Sequence, residues 1–250
     1  MMVWHFLRRH FVRIVIGAVL VAAAYGVVSV YATYQREQRI AREIESHGGQ
    51  VSFDWVGPDG IPQSVQGRLP YLNRICEVSL SGDAAGVELL SELGSLTNLK
   101  TLGLVGTPVG DADLEHLKGL TNLILIGLNN TQVTDAGLKR LKELPNLNCL
   151  FLGDTQVTDA GLVHLKGLTN LNRLFLGGTE VTGAGLEHLK ELTNLTYLDL
   201  NNTQVTDAGL EHLKGLTNLN EVGLDNTQVT DEGRAKLRKA LPNCRIQPDP

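Results

Sequence analysis

Residues 147–170 read LNCLFLGDTQVTDAGLVHLKGLTN, and residues 171–194 read LNRLFLGGTEVTGAGLEHLKELTN, differing at six positions. Outward in both directions the same unit recurs, opening at Ile75, Leu99, Leu123, Leu147, Leu171, Leu195 and Leu219. Seven copies, 24 residues apart and in unbroken register, decide the fold. A fixed period of this length marks stacked supersecondary units, none of which can bury its apolar side alone. A partial unit follows from Cys244, after one extra residue within 235–241.

Within a unit, Leu171, Leu174 and Leu176 open an L-x-x-L-x-L pattern. Its alternating part predicts a short strand with leucines inward and their neighbours outward. Leu186, Leu189 and Leu192 are three apart, the spacing of a tight helical or 3₁₀ turn facing the same core. Thr134, Thr158, Thr182, Thr206 and Thr230 stand where helix N-caps belong, mostly followed by Asp. The glycine two or three residues later argues for short turns rather than long helices. Two polar columns read as internal and structural: Asn98, Asn122, Asn146, Asn170, Asn194 and Asn218, and Thr107, Thr131, Thr155, Thr179, Thr203 and Thr227. Short polar side chains at the corners of a coil can bond backbone groups otherwise unpaired.

Ahead of the repeats lies a different kind of sequence. Residues 14–35, from Ile14 to Gln35, hold no charge, and at about 1.5 Å per residue they span roughly 33 Å. That is long for a cleaved signal peptide, so an uncleaved single-pass anchor is expected. Arg8, Arg9 and Arg13 precede the run and Arg36, Arg39 and Arg42 follow it. The short basic tail points to an inside N-terminus with the repeats outside the cytoplasm. The expected organisation is a tail over 1–13, a transmembrane helix over 14–35 and a helical linker over 36–49. The linker carries Ile40 and Ile44 and ends at His47-Gly48-Gly49. A capping segment over 50–74 follows, with Val51, Phe53 and Trp55 alternating as a strand. The repeats then fill 75–243, and the partial repeat 244–250.

The L-x-x-L-x-L-x-x-T with V-T-D-A-G-L at a 24-residue period resembles the leucine-rich repeat proteins, of the bacterial type with Thr where Asn or Cys is commoner. The resemblance covers about 175 residues. It implies an α/β solenoid, an arc with a parallel concave β-sheet and short helical or 3₁₀ turns on the convex side, preceded here by a transmembrane helix. It also implies binding of a protein or peptide partner on the concave face. A membrane-anchored repeat domain resembles internalin-like bacterial surface proteins as well, although no cell-wall sorting signal is present.

On that face the third, fifth and seventh residues of each unit point outward. From Ile75 onward the sequence has three aromatics, Phe151, Phe175 and Tyr197, and all occupy these positions in consecutive units. With Arg173, Asp199 and Glu221 beside them they have the composition of a partner-binding hot spot. The competing reading is that adjacent rings merely cover one another and stiffen the sheet.

Chemistry is not written into the chain. It has no G-x-x-x-x-G-K-[ST], H-E-x-x-H, C-x-x-C or G-x-S-x-G, and no cofactor is expected. The column His116, His164, His188 and His212 also holds Arg140 and Lys236, which reads as a polar face rather than a metal site. Cys76, Cys149 and Cys244 lie too many coils apart to pair, with Cys149 expected as an exposed thiol. A net charge of −5 gives no general attraction to nucleic acid, and the basic cluster Arg234, Lys236, Arg238, Lys239 and Arg245 reads as solvation of the last coil. The expected function is a non-catalytic, membrane-anchored binding scaffold. The alternatives are a self-assembling structural component of the cell envelope and, remotely, a metal-binding or enzymatic protein.

Overall fold

The computed structural model describes residues 2–59, 61, 63–82 and 86–248, with backbone alone for residues 2–21, 23, 65, 71 and 86–88. The chain divides into two compact units, Met1–Ala41 with Phe53–Arg74, and Arg42–Ser52 with Ile75–Pro250.

The long helix α1, Met2–Ser46, of which the residues up to Ala41 belong to the first unit, carries the apolar run of residues 14–35. Among the described residues no helix is long and apolar enough to cross a membrane. Much of the expected anchor, residues 14–21 and 23, lies outside the residues whose side chains are described. Farther along α1, Glu37 is buried and meets the Arg74 guanidinium at 3.7 Å. The helix stops where the glycines predict: Gly48 takes a left-handed φ of 77°, and the Gly49 N–H closes on the Ile44 carbonyl at 3.0 Å. Strand β1, Gln50–Trp55, follows, then the single turn α2, Gln63–Gln66.

The second unit is built from the repeats. Its strands are β2 (Asn73–Ser79), β3 (Thr101–Gly103), β4 (Leu125–Gly127), β5 (Cys149–Phe151), β6 (Arg173–Phe175), β7 (Tyr197–Asp199), β8 (Glu221–Gly223) and β9 (Arg245–Gln247). They form one sheet in chain order, β2 to β9 pairing in parallel. Each strand residue stands beside the one 24 positions away. Opposite the strands lie α3 (Gly86–Leu93), α4 (Asp135–Leu141), α5 (Asp159–Leu162), α6 (Asp207–Leu210) and α7 (Asp231–Ala240). The 3₁₀ turns Asp113–Leu117, Val163–Leu165, Gly185–Leu189 and Glu211–Leu213 complete that side. Short turns of both kinds are what the three-residue leucine spacing and the mid-turn glycine dictate.

Between the two sides the leucines make a dry core. Leu171, Leu174, Leu176, Val181, Leu186, Leu189 and Leu192, all from one coil, are fully buried. Each fully buried aliphatic side chain contributes about 1.5–3 kcal/mol, realised only because the coils above and below cover it.

Polar side chains finish each coil, in ways the sequence shows only partly. The threonine column is internal: Thr131, Thr155, Thr179 and Thr203 are buried, and each hydroxyl donates to the carbonyl three residues back at 2.6 Å. The asparagine column, expected inside, is exposed at Asn122, Asn146, Asn170, Asn194 and Asn218, as its hydrogen bonds at the coil edge show. It still stitches coils together, the Asn122 amide reaching the Thr97 carbonyl at 2.7 Å and Asn218 that of Thr193 at 2.8 Å. Where the chain leaves the sheet, Asn130, Asp154, Asn202 and Asn226 adopt φ of 53–57°, the left-handed region that these residues and glycine tolerate best.

The Asp of V-T-D-A-G-L does more than favour a helix N-terminus. Asp111, Asp135, Asp159 and Asp207 each accept bonds from the backbone N–H and the hydroxyl of the capping Thr one coil later, at 2.6–2.8 Å. The glycines of the following turns, Gly137, Gly161, Gly185 and Gly233, each face the preceding coil's carboxylate. A Cβ on Gly161 would stand 2.3 Å from the Asp135 Oδ1. In the coil that opens at Leu171, Gly183 takes the aspartate's place, and Thr206 alone among the five expected caps makes no capping bond. Thr134, Thr158, Thr182 and Thr230 all cap.

Candidate protein-binding face

With Leu102, Ile126, Leu150, Leu174, Leu198 and Val222 buried beneath the sheet, the residues on either side of them must face out. Parallel, in-register pairing then turns each outward position into a row across the coils. One row runs Gly103, Gly127, Phe151, Phe175, Asp199, Gly223, and another runs Thr101, Leu125, Cys149, Arg173, Tyr197, Glu221.

Two phenylalanines at one position of neighbouring coils are one strand spacing apart, so their rings must meet. Phe151 and Phe175 stack with centroids 4.1 Å apart and planes 13° from parallel. Tyr197, one strand farther on and in the other row, leans on Phe175 at 4.8 Å. The Arg173 guanidinium lies 5.4 Å from the Phe175 centroid and 5.1 Å from that of Tyr197, within cation–π range. All three rings are half-buried, while Arg173 is exposed. The rings do cover one another in part, and a contiguous aromatic surface remains open.

The two acidic residues border this cluster. Asp199 stands beside Phe175 in register, half-buried, and accepts the Asn201 backbone N–H at 2.9 Å. Burial raises its carboxyl above the usual aspartate range. The Asn201 bond opposes that rise, and the negative charges of Asp225 and Asp154 add to it. Glu221 stands beside Tyr197 and accepts a hydrogen bond from the Gln247 amide. The Tyr197 phenol is raised as well, by burial first, then by Asp199 and Glu221, against the opposing pull of Arg173. The six expected site residues thus lie together on β5–β8. Asp154 and Asp225 belong to the same electrostatic neighbourhood. Their signal in the sequence was a break in columns otherwise filled mostly by Asn and Gly.

Cys149 corrects an expectation. It occupies an outward position, but Leu125 and Arg173 flank it in register and it is buried. Burial raises its thiol pKa, with Arg173 acting weakly against that. Cys76 and Cys244 are buried too. In the histidine column, Arg140 instead reaches Glu115 of the preceding coil at 3.6 Å, an exposed ion pair. Among the described residues no group of three or more His, Cys, Asp or Glu is placed to hold a metal ion.

A parallel sheet of three-residue strands, one per 24-residue coil, closed by short helical and 3₁₀ turns around a leucine core, defines a leucine-rich repeat solenoid. Residues 193–233 match the family model for leucine-rich repeats, in two copies. Among solved structures the chain is similar to an internalin C2 from Listeria monocytogenes, at 26% identity and a TM-score of 0.56, over 73% of this chain and 83% of that one. It is also similar to an internalin, inlF, from the same organism, at 22% identity and a TM-score of 0.42, over 67% of this chain and 57% of that one. No curated protein matches the sequence.

Proposed function

We propose that the chain is a membrane-anchored, non-catalytic scaffold that holds a protein or peptide partner against the outer face of its sheet. Phe151, Phe175, Tyr197 and Arg173 provide the contact centre, and Asp199 and Glu221 flank it. The observation that carries this reading is the stacked Phe151–Phe175 pair on the open side of the sheet, in a solenoid whose outward positions beyond Tyr197 carry no other ring. Open aromatic surface beside charged groups has the chemistry of residues that dominate protein interfaces. Catalysis needs unlike residues converging in one pocket, whereas here similar residues are laid out in rows.

Residues 14–35 serve as the single-pass anchor in this proposal, with residues 1–13 inside and the repeats outside the cytoplasm. Tyr25, Val27, Val28 and Tyr31 on α1 support it, being 76%, 70%, 65% and 55% exposed. Apolar side chains this bare on a helix suit lipid better than water.

Cross-linking the full chain on intact cells and recovering its partner tests the face, with Phe151→Ser/Phe175→Ser as the control. A specific partner lost in the double variant supports the reading. Unchanged capture by a folded double variant removes the face from consideration. Protease digestion of intact cells tests the orientation, which fails if the repeats are protected until the membrane is broken.

A further inference from the structure

The row through the aromatic pair is graded. From β3 to β7 it reads Gly103, Gly127, Phe151, Phe175, Asp199. At its first end glycines stand in place of the rings, Gly103 half-buried and Gly127 buried. A Cβ placed on Gly127 would find Val105 Cγ2 at 3.5 Å and the Gly103 Cα at 3.7 Å, which is ordinary contact distance. Val105, 45% exposed, and the half-buried Leu125 border these glycines, and the Phe151 ring stands next in the row. Val105 thus covers Gly127, and what faces out here is a shallow apolar step of Val105, Leu125 and Phe151, with the Ser79 hydroxyl 3.2 Å from a Cβ placed on Gly103. The other end of the row is negative: Asp199 closes it on β7, Glu221 stands beside Tyr197 on β8, and Asp225 and Asp154, just beyond β8 and β5, repel the Asp199 carboxylate. Arg173, the nearby cation, lies over the rings of Phe175 and Tyr197.

We infer that the partner presents an extended segment carrying an aliphatic side chain and, four residues later, a lysine or arginine. The aliphatic group packs on Val105 and Leu125 above Gly127, beside the Phe151 ring, and the cation meets Asp199. Two distances set the spacing. Gly127 and Asp199 are three strands apart, about 14 Å. An extended chain advances about 3.4 Å per residue, so its fourth residue arrives over Asp199 and points to the same side as the first. The residue midway between them passes over the Phe151–Phe175 pair. Charge complementarity chooses the cation, because carboxylates that repel one another on a half-buried face are relieved by an incoming positive group.

This inference rests on the binding role proposed for the face, and the test separates the two. A random linear peptide library is selected against the full chain in detergent micelles, and the selected peptides are synthesised and titrated by fluorescence anisotropy. The expected peptides carry the aliphatic residue and the Lys or Arg at that spacing. Their affinity falls about tenfold or more in Asp199→Asn/Asp225→Asn and in Phe151→Ser/Phe175→Ser. Asn at 199 keeps an acceptor for the Asn201 N–H, so the first variant retains the local fold. Peptides that need Phe151 and Phe175 but lack the basic residue and ignore Asp199→Asn/Asp225→Asn overturn this inference and leave the binding role standing. Peptides indifferent to both variants, or an empty selection, overturn both.

Discussion

The carboxylate of Asp159 reaches into the next coil and accepts two hydrogen bonds from one residue there, the backbone N–H of Thr182 at 2.7 Å and its hydroxyl at 2.6 Å. The same hydroxyl then caps its own turn by accepting the Ala184 N–H at 3.2 Å. Thr182→Ala therefore removes a charge-assisted bond and a cap together and should cost about 1–3 kcal/mol. Thr206, whose preceding coil offers Gly183 in place of an aspartate, has neither bond to lose. Thr206→Ala should stay within about 0.5 kcal/mol of the parent. Urea unfolding of the two variants side by side measures the difference, and equal losses would contradict the account.

Glycine substitutions should split by what faces them. Gly161 and Gly185 lie against the carboxylates of Asp135 and Asp159, with a Cβ 2.3 Å from Oδ1 in each case. Gly161→Ala should lose about 1–3 kcal/mol by overpacking, although alanine is the better helix former. A methyl group added at Gly215 would meet nothing within 4 Å. Gly215→Ala should therefore be neutral or gain up to about 1 kcal/mol through the unfolded chain. Thermal unfolding that ranks Gly161→Ala above Gly215→Ala would rule this out.

Acid should loosen the last such bridge by a defined route. The hydroxyl and N–H of Thr230 hold the Asp207 carboxyl below the ordinary aspartate value, burial opposes them weakly, and Lys236 and Arg234 assist. A group whose pKa is lowered by folding stabilises the folded state above its unfolded pKa, about 3.9, and that contribution is lost as pH falls through the folded value. An NMR titration should place the Asp207 midpoint below that of an exposed aspartate, and Thr230→Val should move it back up. A midpoint that ignores Thr230→Val would show that the bridge does not act on the carboxyl.

The cysteines should be silent until the chain unfolds. Burial and then Glu221 push the Cys244 thiol up to about 11, and burial raises Cys149. Since the thiolate is the reactive form, a thiol reagent at about pH 8 should label none of the three cysteines in the native protein within minutes and all three in denaturant. Rapid native labelling of Cys149 would restore it to the open face.

The aromatic pair should be coupled. A double-mutant cycle on Phe151→Ala and Phe175→Ala should return about 0.5–1.5 kcal/mol of interaction energy. A coupling near zero would mean that the rings do not stack in solution.

What the sequence shows depends on how far apart the interacting residues are. Leu174 and Leu176 declare a strand between them, because period-two burial is visible over three residues. The Phe151–Phe175 contact is legible for a related reason, since one period of 24 is one step across the sheet. Gly161 is different. It looks like a helix-weakening residue until it is set against Asp135, in the coil before, whose carboxylate occupies the space. The burial of Cys149 was likewise hidden, because position along a strand gives direction but not the size of the neighbours, here Leu125 and Arg173. The membership of Asp154 and Asp225 in the charged neighbourhood depends on the turn after each strand, where left-handed backbone carries the chain away from the sheet.

Most coils between Asp111 and Thr230 are fastened to the next by an identical clasp, and at one junction Gly183 leaves Thr206 unheld. Under tension along the stack the load is shared by these clasps, and the junction that lacks one is the first to part. A force spectrum of the solenoid should accordingly begin with rupture between the coils that open at Leu171 and Leu195, and Gly183→Asp should shift that first event if the neighbouring Gly209 gives way.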